Sequence, residues 1–285
     1  MKIGLNAWTV GGWGLNLPSG MEGVFKVAAE LGYDGVEVVY DDSNYSPDRL
    51  SKKDRVHLVE VAQELGLSIP SVATGVFWKY DLASTSESER SIALQLLRKG
   101  LELAADLGAK TLLVVPTVAR SRTSFKATYS LALSAIVEAS RWAEDLNMKI
   151  GLENVWNRFL YDPLSFRRFI EETGSESVGF YFDVGNALEL APYEHWVEVL
   201  GDRFVMVHAK DYDFQSRGPR GFRLVGEGSV DWPGFISGLR SAGYDGFLNV
   251  ETPPEFMVRD VAPVFPQDGV EAARISLKNL RRFIA

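Results

Sequence analysis

The sequence predicts an α/β fold, a closed (β/α)8 barrel formed as a single domain over residues 1–285. Three observations predict it. Eight short apolar runs alternate strictly with eight stretches of helical spacing. Several helical stretches stop in the same way, at Leu31-Gly32, Leu65-Gly66, Leu107-Gly108 and Ala242-Gly243, because glycine takes the left-handed conformation that closes a helix. The runs that follow are apolar on both faces, as in a parallel sheet covered by helices. The repeat is the βα unit itself, roughly 30–35 residues long, which matches a barrel of this type. An open doubly wound sheet is the alternative. It rarely needs eight units, and the first βα turn lacks a GxGxxG phosphate fingerprint. No linker or composition shift marks a second domain.

Taken in order, Lys2–Trp8 reads as the first strand and Gly11-Gly12-Trp13-Gly14 as a loop. Met21–Leu31 has helical spacing in Val24, Val27, Ala28 and Leu31. Gly35–Val39 is the second strand, with Glu37 embedded in it, and Pro47–Leu65 the next helix. Leu67–Val72 is the third strand, and Ala73–Ser84 is a loop carrying Phe77, Trp78 and Tyr80. Ser86–Leu107 is a long helix, Thr111–Val115 a strand ended by Pro116, and Ser124–Leu146 a helix. Lys149–Leu152 is the fifth strand. Pro163–Glu172 is a helix with Pro at its start, where the missing N–H costs little. Val178–Phe182 is the sixth strand, followed by a helix at Tyr193–Leu200. Phe204–Val207 is the seventh strand, and a long loop covers Asp211–Ser229. Trp232–Ala242, Gly246–Val250 and Val270–Phe283 complete the series as helix, eighth strand and last helix.

Composition narrows the function classes. The net charge of -8 opposes nonspecific nucleic-acid binding, which needs many Lys and Arg on phosphates. There are no cysteines, hence no disulfide, thiolate metal site or thiol nucleophile. No signal peptide is expected at MKIGLNAWTVGGWG, and no apolar window approaches the about 18 residues of a membrane span. These features suit a cytoplasmic protein with no nucleic-acid or membrane partner.

The last four strands carry the chemistry. The apolar run before Glu153 ends in that carboxylate; Val178–Phe182 ends in Asp183, Phe204–Val207 in His208, and Gly246–Val250 in Glu251. In a barrel the active site lies where strands end and βα loops begin. Three carboxylates and one imidazole on neighbouring strands suit one divalent ion, with Mn²⁺ the first choice and Mg²⁺, Co²⁺ or Zn²⁺ the others. The bland alternative is four separate polar strand ends that cap helices or pair with Arg.

The chain resembles the xylose-isomerase-like TIM-barrel family of sugar phosphate isomerases and epimerases, the group containing ketose 3-epimerases, hexulose-phosphate isomerases and inosose dehydratases. The resemblance is carried by GVEV (Gly35–Val38), GLEN (Gly151–Asn154), FDVGN (Phe182–Asn186), VHAKD (Val207–Asp211), GEG (Gly226–Gly228) with Val230-Asp231-Trp232, and YDGFLNVE (Tyr244–Glu251). The run LENVWNRFLYDPLSFRRFIEE followed by YFDVGNAL is most like the ketose-phosphate 3-epimerase and hexulose-phosphate isomerase branch. The resemblance implies that Glu153, Asp183, His208 and Glu251 bind one metal, and that Glu153 and Glu251 are the acid/base pair. The chemistry is coherent with that. A ketose has an acidic C–H beside its carbonyl, and a metal chelated by the carbonyl and a neighbouring hydroxyl stabilises the developing cis-enediolate. One carboxylate removes the proton and the other returns it on the opposite face, giving epimerisation. Transfer between neighbouring carbons gives aldose–ketose isomerisation with the same machinery.

Candidate substrate contacts are Glu37, Asn186, Lys210, Arg217, Trp13 and Trp156. Many relatives have His where this chain has Asn186, which donates to a sugar hydroxyl but carries protons poorly; capping a helix start is its other role. The resemblance puts Glu37 near the pocket, with structural pairing to a barrel Arg or Lys as its alternative. Trp8, Trp13, Phe77, Trp78 and Trp156 are candidates for an apolar wall. Lys210, Arg217, Arg220 and Arg223 follow the seventh strand, where barrels often bind phosphate; a solvated basic loop is the alternative. Lys210 has the further option of pairing with Asp211 or a metal-ligand carboxylate. His57 and His195 lie inside helical patterns and read as surface or packing residues. Pro253–Gln267 is a candidate lid or oligomer contact. The expected partner is a small carbohydrate, with a homo-oligomer, dimer or tetramer, expected by analogy.

Four function classes compete. The leading one is a metal-dependent ketose or ketose-phosphate epimerase/isomerase. An inosose-dehydratase-like lyase on a polyol ketone is the alternative, since the same base can abstract a proton before a hydroxyl leaves. A DNA-repair endonuclease of the related barrel type needs several His for a multi-zinc cluster, and only one of the three His here ends a strand. A non-catalytic sugar-binding barrel requires a broken acid/base pair, yet both Glu153 and Glu251 are present.

Overall fold

The computed structural model describes residues 1–12, 17, 19–121, 123–252 and 268–285. Trp13 and 253–267, named above as a substrate contact and as a lid or oligomer contact, lie outside the described residues. Eight parallel strands close into a barrel: β1 (Lys2–Asn6), β2 (Gly35–Tyr40), β3 (Ser71–Thr74), β4 (Thr111–Val114), β5 (Lys149–Glu153), β6 (Val178–Asp183), β7 (Phe204–Ala209) and β10 (Phe247–Val250). Closure is made by β10 on β1, with Lys2 opposite Phe247 and Leu5 opposite Val250. The outer helices are α2 (Gly20–Leu31), α3 (Lys52–Glu64), α4 (Glu87–Asp106), α5 (Phe125–Asp145), α6 (Pro163–Glu172), α8 (Tyr193–Leu200), α9 (Trp232–Ser241) and α10 (Gly269–Ile284). Among the described residues, no helix is long and apolar enough to cross a membrane.

Local chemistry explains most element ends. Gly32, Gly66, Gly108 and Gly243 all have positive φ, as the helix-stopping pattern requires. The helix expected from Pro47 begins only at Lys52. A capping box between Ser51 and Asp54 sets that start. The third strand runs Ser71–Thr74 rather than Leu67–Val72. Ser68 makes only an isolated bridge to Gly35, and Pro70, which has no N–H to donate, interrupts the ladder before Ser71.

Three further differences bear on the site. The first strand stops at Asn6, not Trp8, because Asn6 Oδ1 accepts the N–H of Trp8 and starts the short helix α1 (Ala7–Gly11). Asp183 does the same for α7 (Val184–Leu190), a seven-residue helix too short to show periodicity in the sequence. The expected loop Asp211–Ser229 contains a two-stranded antiparallel ribbon, β8 (Asp211–Tyr212) with β9 (Phe222–Arg223).

Between the barrel and α8 and α9 lies an aromatic layer. Phe180 stacks on Trp196 at 5.6 Å, and Phe182 on Phe204 at 5.3 Å. Such residues bury large apolar areas and dominate the packing of this side. The barrel interior is different. Glu37, Ser71, Tyr181, His208 and Asn249 form a buried hydrogen-bonded layer beneath the strand ends. Gly151 makes room for it: a Cβ there would sit 2.8 Å from the Tyr181 ring.

Candidate metal centre

Register brings four strand ends to one point. Asp183 on β6 is opposite His208 on β7, and His208 is opposite Asn249, two residues before Glu251. Glu153 ends the neighbouring β5. One ligand atom from each of Glu153, Asp183, His208 and Glu251 lies within 4.8 Å of the others, and all four residues are buried. Nδ1 of His208 is 3.4 Å from Glu153 Oε1, 3.5 Å from Glu251 Oε2 and 3.7 Å from Asp183 Oδ2. Nδ1 itself is buried and makes no hydrogen bond.

The other ring nitrogen has a partner. His208 Nε2 is 2.7 Å from Glu37 Oε2. Glu37 also accepts from Asn6 Nδ2 at 2.5 Å, from Ser71 Oγ at 2.8 Å and from the Tyr181 hydroxyl. A carboxylate at Nε2 holds a proton there, so that once the ring is neutral its Nδ1 lone pair faces the carboxylate cluster. This is the arrangement that orients metal-binding imidazoles. Three carboxylate oxygens plus one imidazole nitrogen form a hard, mixed donor set suited to a divalent ion.

The electrostatics point the same way. Burial alone would raise Glu37, but the charge and hydrogen bond of His208, with Tyr181 and Ser71, hold it below the usual carboxylate range. Burial opposes the imidazolium of His208, yet Glu37, Glu251, Asp183 and Glu153 carry it well above its ordinary value. Glu153 is pushed up to about 7 by burial first and then by Glu251 and Asp183, against the lowering effect of His208. Asp183 is also opposed by burial, but Lys210 and then His208 hold it low. The cluster thus holds excess negative charge that a cation relieves.

Lys210, one residue past β7, already supplies part of that charge. Its Nζ is 2.6 Å from Glu251 Oε2 and 2.8 Å from Asp183 Oδ2, and the carboxylates raise its ordinary value despite burial. Of the two pairings expected for Lys210, the one with carboxylates of the cluster is present, and Lys210 also lines the cavity described next.

A cavity of about 350 Å³ opens above the cluster. Glu153, Glu251, Lys210 and Asn186 line it, with Trp156, Phe222, Trp8 and Trp78. Trp156 stacks on Phe222 at 4.9 Å and donates from Nε1 to the Asn186 carbonyl at 3.1 Å. Asn186 Nδ2 donates to the Asn154 carbonyl at 3.1 Å, and Asn154 brackets Asp183 through two hydrogen bonds of 2.8 Å. Asn186 lines the cavity, and its backbone N–H donates to Asp183 Oδ1, the cap of the helix that follows, at 2.8 Å.

Two expected substrate contacts, Glu37 and Arg217, are not among the residues that line the cavity. Glu37 does not line the cavity; it is fully buried below the cluster, with its carboxylate taken by His208 and three other donors. It pairs with an imidazole rather than the Arg or Lys of its alternative. Arg217 is also absent from the cavity wall, 80% exposed and 4.0 Å from Glu189. Phe77 is fully buried and is not part of the wall. Arg223 is held by Asp213 at 2.9 Å. His57 is exposed and lies 3.0 Å from Glu22.

Sequence reading left several contributors unassigned. Asn6, Ser71, Tyr181 and Asn249 support Glu37 and its surroundings, Asn154 supports Asp183, and Phe222 joins the aromatic wall. For Asn6 and Asn249 the sequence signal is a polar residue inside an otherwise apolar strand, as in FLNV (Phe247–Val250).

Residues 25–282 match the model of the family described as xylose isomerase-like TIM barrel. Among curated relatives, an uncharacterised protein, MJ1311, of Methanocaldococcus jannaschii is 28% identical over 82% of this chain and 80% of its own length. A putative L-ribulose-5-phosphate 3-epimerase, SgbU, of Escherichia coli is 27% identical, covering 79% of this chain and 81% of that protein. Among solved structures, D-psicose 3-epimerase with D-tagatose from Clostridium cellulolyticum H10 superposes with a TM-score of 0.81 at 15% identity, over 100% of this chain and 99% of the other; that likeness is one of fold. The family match begins inside α2 and runs nearly to the end of α10, so it takes in every member of the four-residue cluster: the chain belongs to the xylose isomerase-like TIM barrel family.

Proposed function

We propose that this protein is a metal-dependent sugar epimerase acting on the carbon beside a ketose carbonyl, with Glu153 and Glu251 as the acid/base pair. The observation that carries the reading is the convergence of these two carboxylates on His208 Nδ1, at 3.4 and 3.5 Å, on the floor of a cavity sized for a small molecule. The 3-epimerase names borne by relatives support the same class.

Glu153, Asp183, His208 and Glu251 would hold the ion, Mn²⁺ being the first to test. A bound divalent cation supplies Lewis-acid polarisation of the carbonyl, which makes the neighbouring C–H more acidic. The chain's own residues do the rest. One of the two glutamates takes the proton and leaves an enediolate; the other returns a proton on the opposite face. Lys210 steadies Glu251 and Asp183 through its two contacts. Asn186 and Trp156 orient the sugar, and the aromatic wall limits water.

The test is incubation of Mn²⁺-loaded protein in D₂O with a ketose panel, read by NMR. Deuterium at C3 with a new epimer is the expected result. Label at C1 or C2 with a new aldose would make the enzyme an isomerase instead, and loss of water would make it a lyase. Glu153→Gln and Glu251→Gln should each slow exchange by about 10²–10⁴-fold. Unchanged exchange in both variants would remove them from the mechanism.

A further inference from the structure

The cavity has a chemical character that the acid/base reading does not use. Its floor is charged and buried, with Glu153, Lys210 and Glu251. Its wall is aromatic, with Trp8, Trp78, Trp156 and Phe222. Its rim carries Asp41 and Asp42. Among the described residues that line it, the cations are Lys79 and Lys210, and both are committed. Lys79 Nζ is 2.5 Å from Asp42 Oδ2. Lys210 bridges Asp183 and Glu251.

Among the described residues, the anion cradle that a barrel offers after its seventh strand is also filled. Barrels grip phosphate with backbone N–H groups of the loops after the last two strands. Here the loop after β7 has turned its donors onto a side chain of its own. The fully buried Asp211 carboxylate accepts from the N–H of Tyr212 at 2.8 Å, of Gly226 at 2.8 Å and of Val230 at 3.1 Å, and from Trp232 Nε1 at 2.8 Å. A Cβ on Gly228 would lie 2.3 Å from Asp211 Oδ1, so this loop is closed tightly round that carboxylate. The start of α9 is capped by Asp231, which accepts from Gly234 N–H at 3.2 Å. The two short helices that start at the barrel mouth are capped by Asn6 and Asp183. Of the loop cations, Arg217 faces Glu189, Arg223 faces Asp213, and Arg220 is exposed.

We propose that the site takes an uncharged ketose rather than a sugar phosphate, its carbon chain lying along the aromatic wall and its far end passing Asp41 and Asp42. This rests on the epimerase reading above and names its substrate class. An aromatic face receives the C–H side of a sugar at little desolvation cost, while a phosphate directed to the rim meets the carboxylate of Asp41 and finds the described donors of the loop after β7 occupied.

The experiment uses matched pairs, a free ketose and the same ketose carrying a terminal phosphate, titrated into the Mn²⁺-loaded protein. Binding is followed by intrinsic tryptophan fluorescence, and C–H exchange by NMR in D₂O. The free ketose should bind at least about tenfold more tightly than its phosphate, a difference typical of one like-charge clash. Equal or tighter binding of the phosphate overturns the inference, and so does failure of every free ketose to bind. The two readouts separate the claims. Binding of the free ketose without exchange keeps the substrate class and sinks the epimerase; faster exchange of the phosphate keeps the epimerase and sinks the substrate class.

Discussion

His208 Nε2 and Glu37 Oε2 lie 2.7 Å apart inside the barrel, both fully buried, although 171 residues separate them in the chain. This contact fixes which imidazole nitrogen faces the carboxylate cluster. Glu37→Gln keeps the shape but removes the charge. It should weaken divalent-metal affinity by about 10–100-fold, the usual cost of losing such a partner. Calorimetric titration with Mn²⁺ measures it. Wild-type affinity in the variant would mean that Glu37 does not orient the ligand.

Metal uptake should depend on pH. Without metal, Glu153 keeps its proton up to about 7, and His208 keeps its own well above the ordinary histidine range. A metal ion binds the deprotonated forms and must displace both protons. Raising the pH removes that competition, so affinity should rise from pH 6 to pH 8. Proton release on Mn²⁺ addition, measured in buffers of different ionisation enthalpy, tests the sign. Affinity that is flat across this range would contradict it.

Gly151 links packing to the site. A Cβ there would sit 2.8 Å from the Tyr181 ring and 3.0 Å from Thr111 Cγ2. Tyr181 in turn donates to Glu37. Gly151→Ala should therefore destabilise the fold by about 1–3 kcal/mol through overpacking, and should also lower metal affinity. Chemical denaturation and metal titration of one sample separate the two effects. A stable variant with unchanged affinity would show that the polar layer yields without moving Glu37.

The Asp211 carboxylate serves four donors in the loop after β7. Asp211→Ala leaves those donors buried without an acceptor, and should cost about 3 kcal/mol or more. It should also open the 224–230 stretch to proteolysis before the rest of the barrel. Thermal melting and limited digestion check both; cleavage elsewhere first would count against the assignment.

The sequence showed much of the fold because its signals are local. The stops at Gly32, Gly66, Gly108 and Gly243 depend only on φ, and Pro163–Glu172 carries both its cap and its periodicity. The four metal-ligand candidates could be read for the same reason, since a carboxylate or imidazole at the tip of an apolar run is a local anomaly. Elements shaped by a single side chain were less visible. Asn6 shortens the first strand, and Asp211 converts a supposed loop into a ribbon round its own carboxylate.

By itself, then, the sequence determined the alternating βα architecture and the residues that end its last four strands. Tertiary structure decided the pairings. Glu37 pairs with His208, Lys210 bridges Asp183 and Glu251, and Arg217 is exposed beside Glu189. The physical reason is barrel closure. Strand register brings side chains more than a hundred residues apart to within hydrogen-bond distance, and a buried charge takes whichever partner that register supplies.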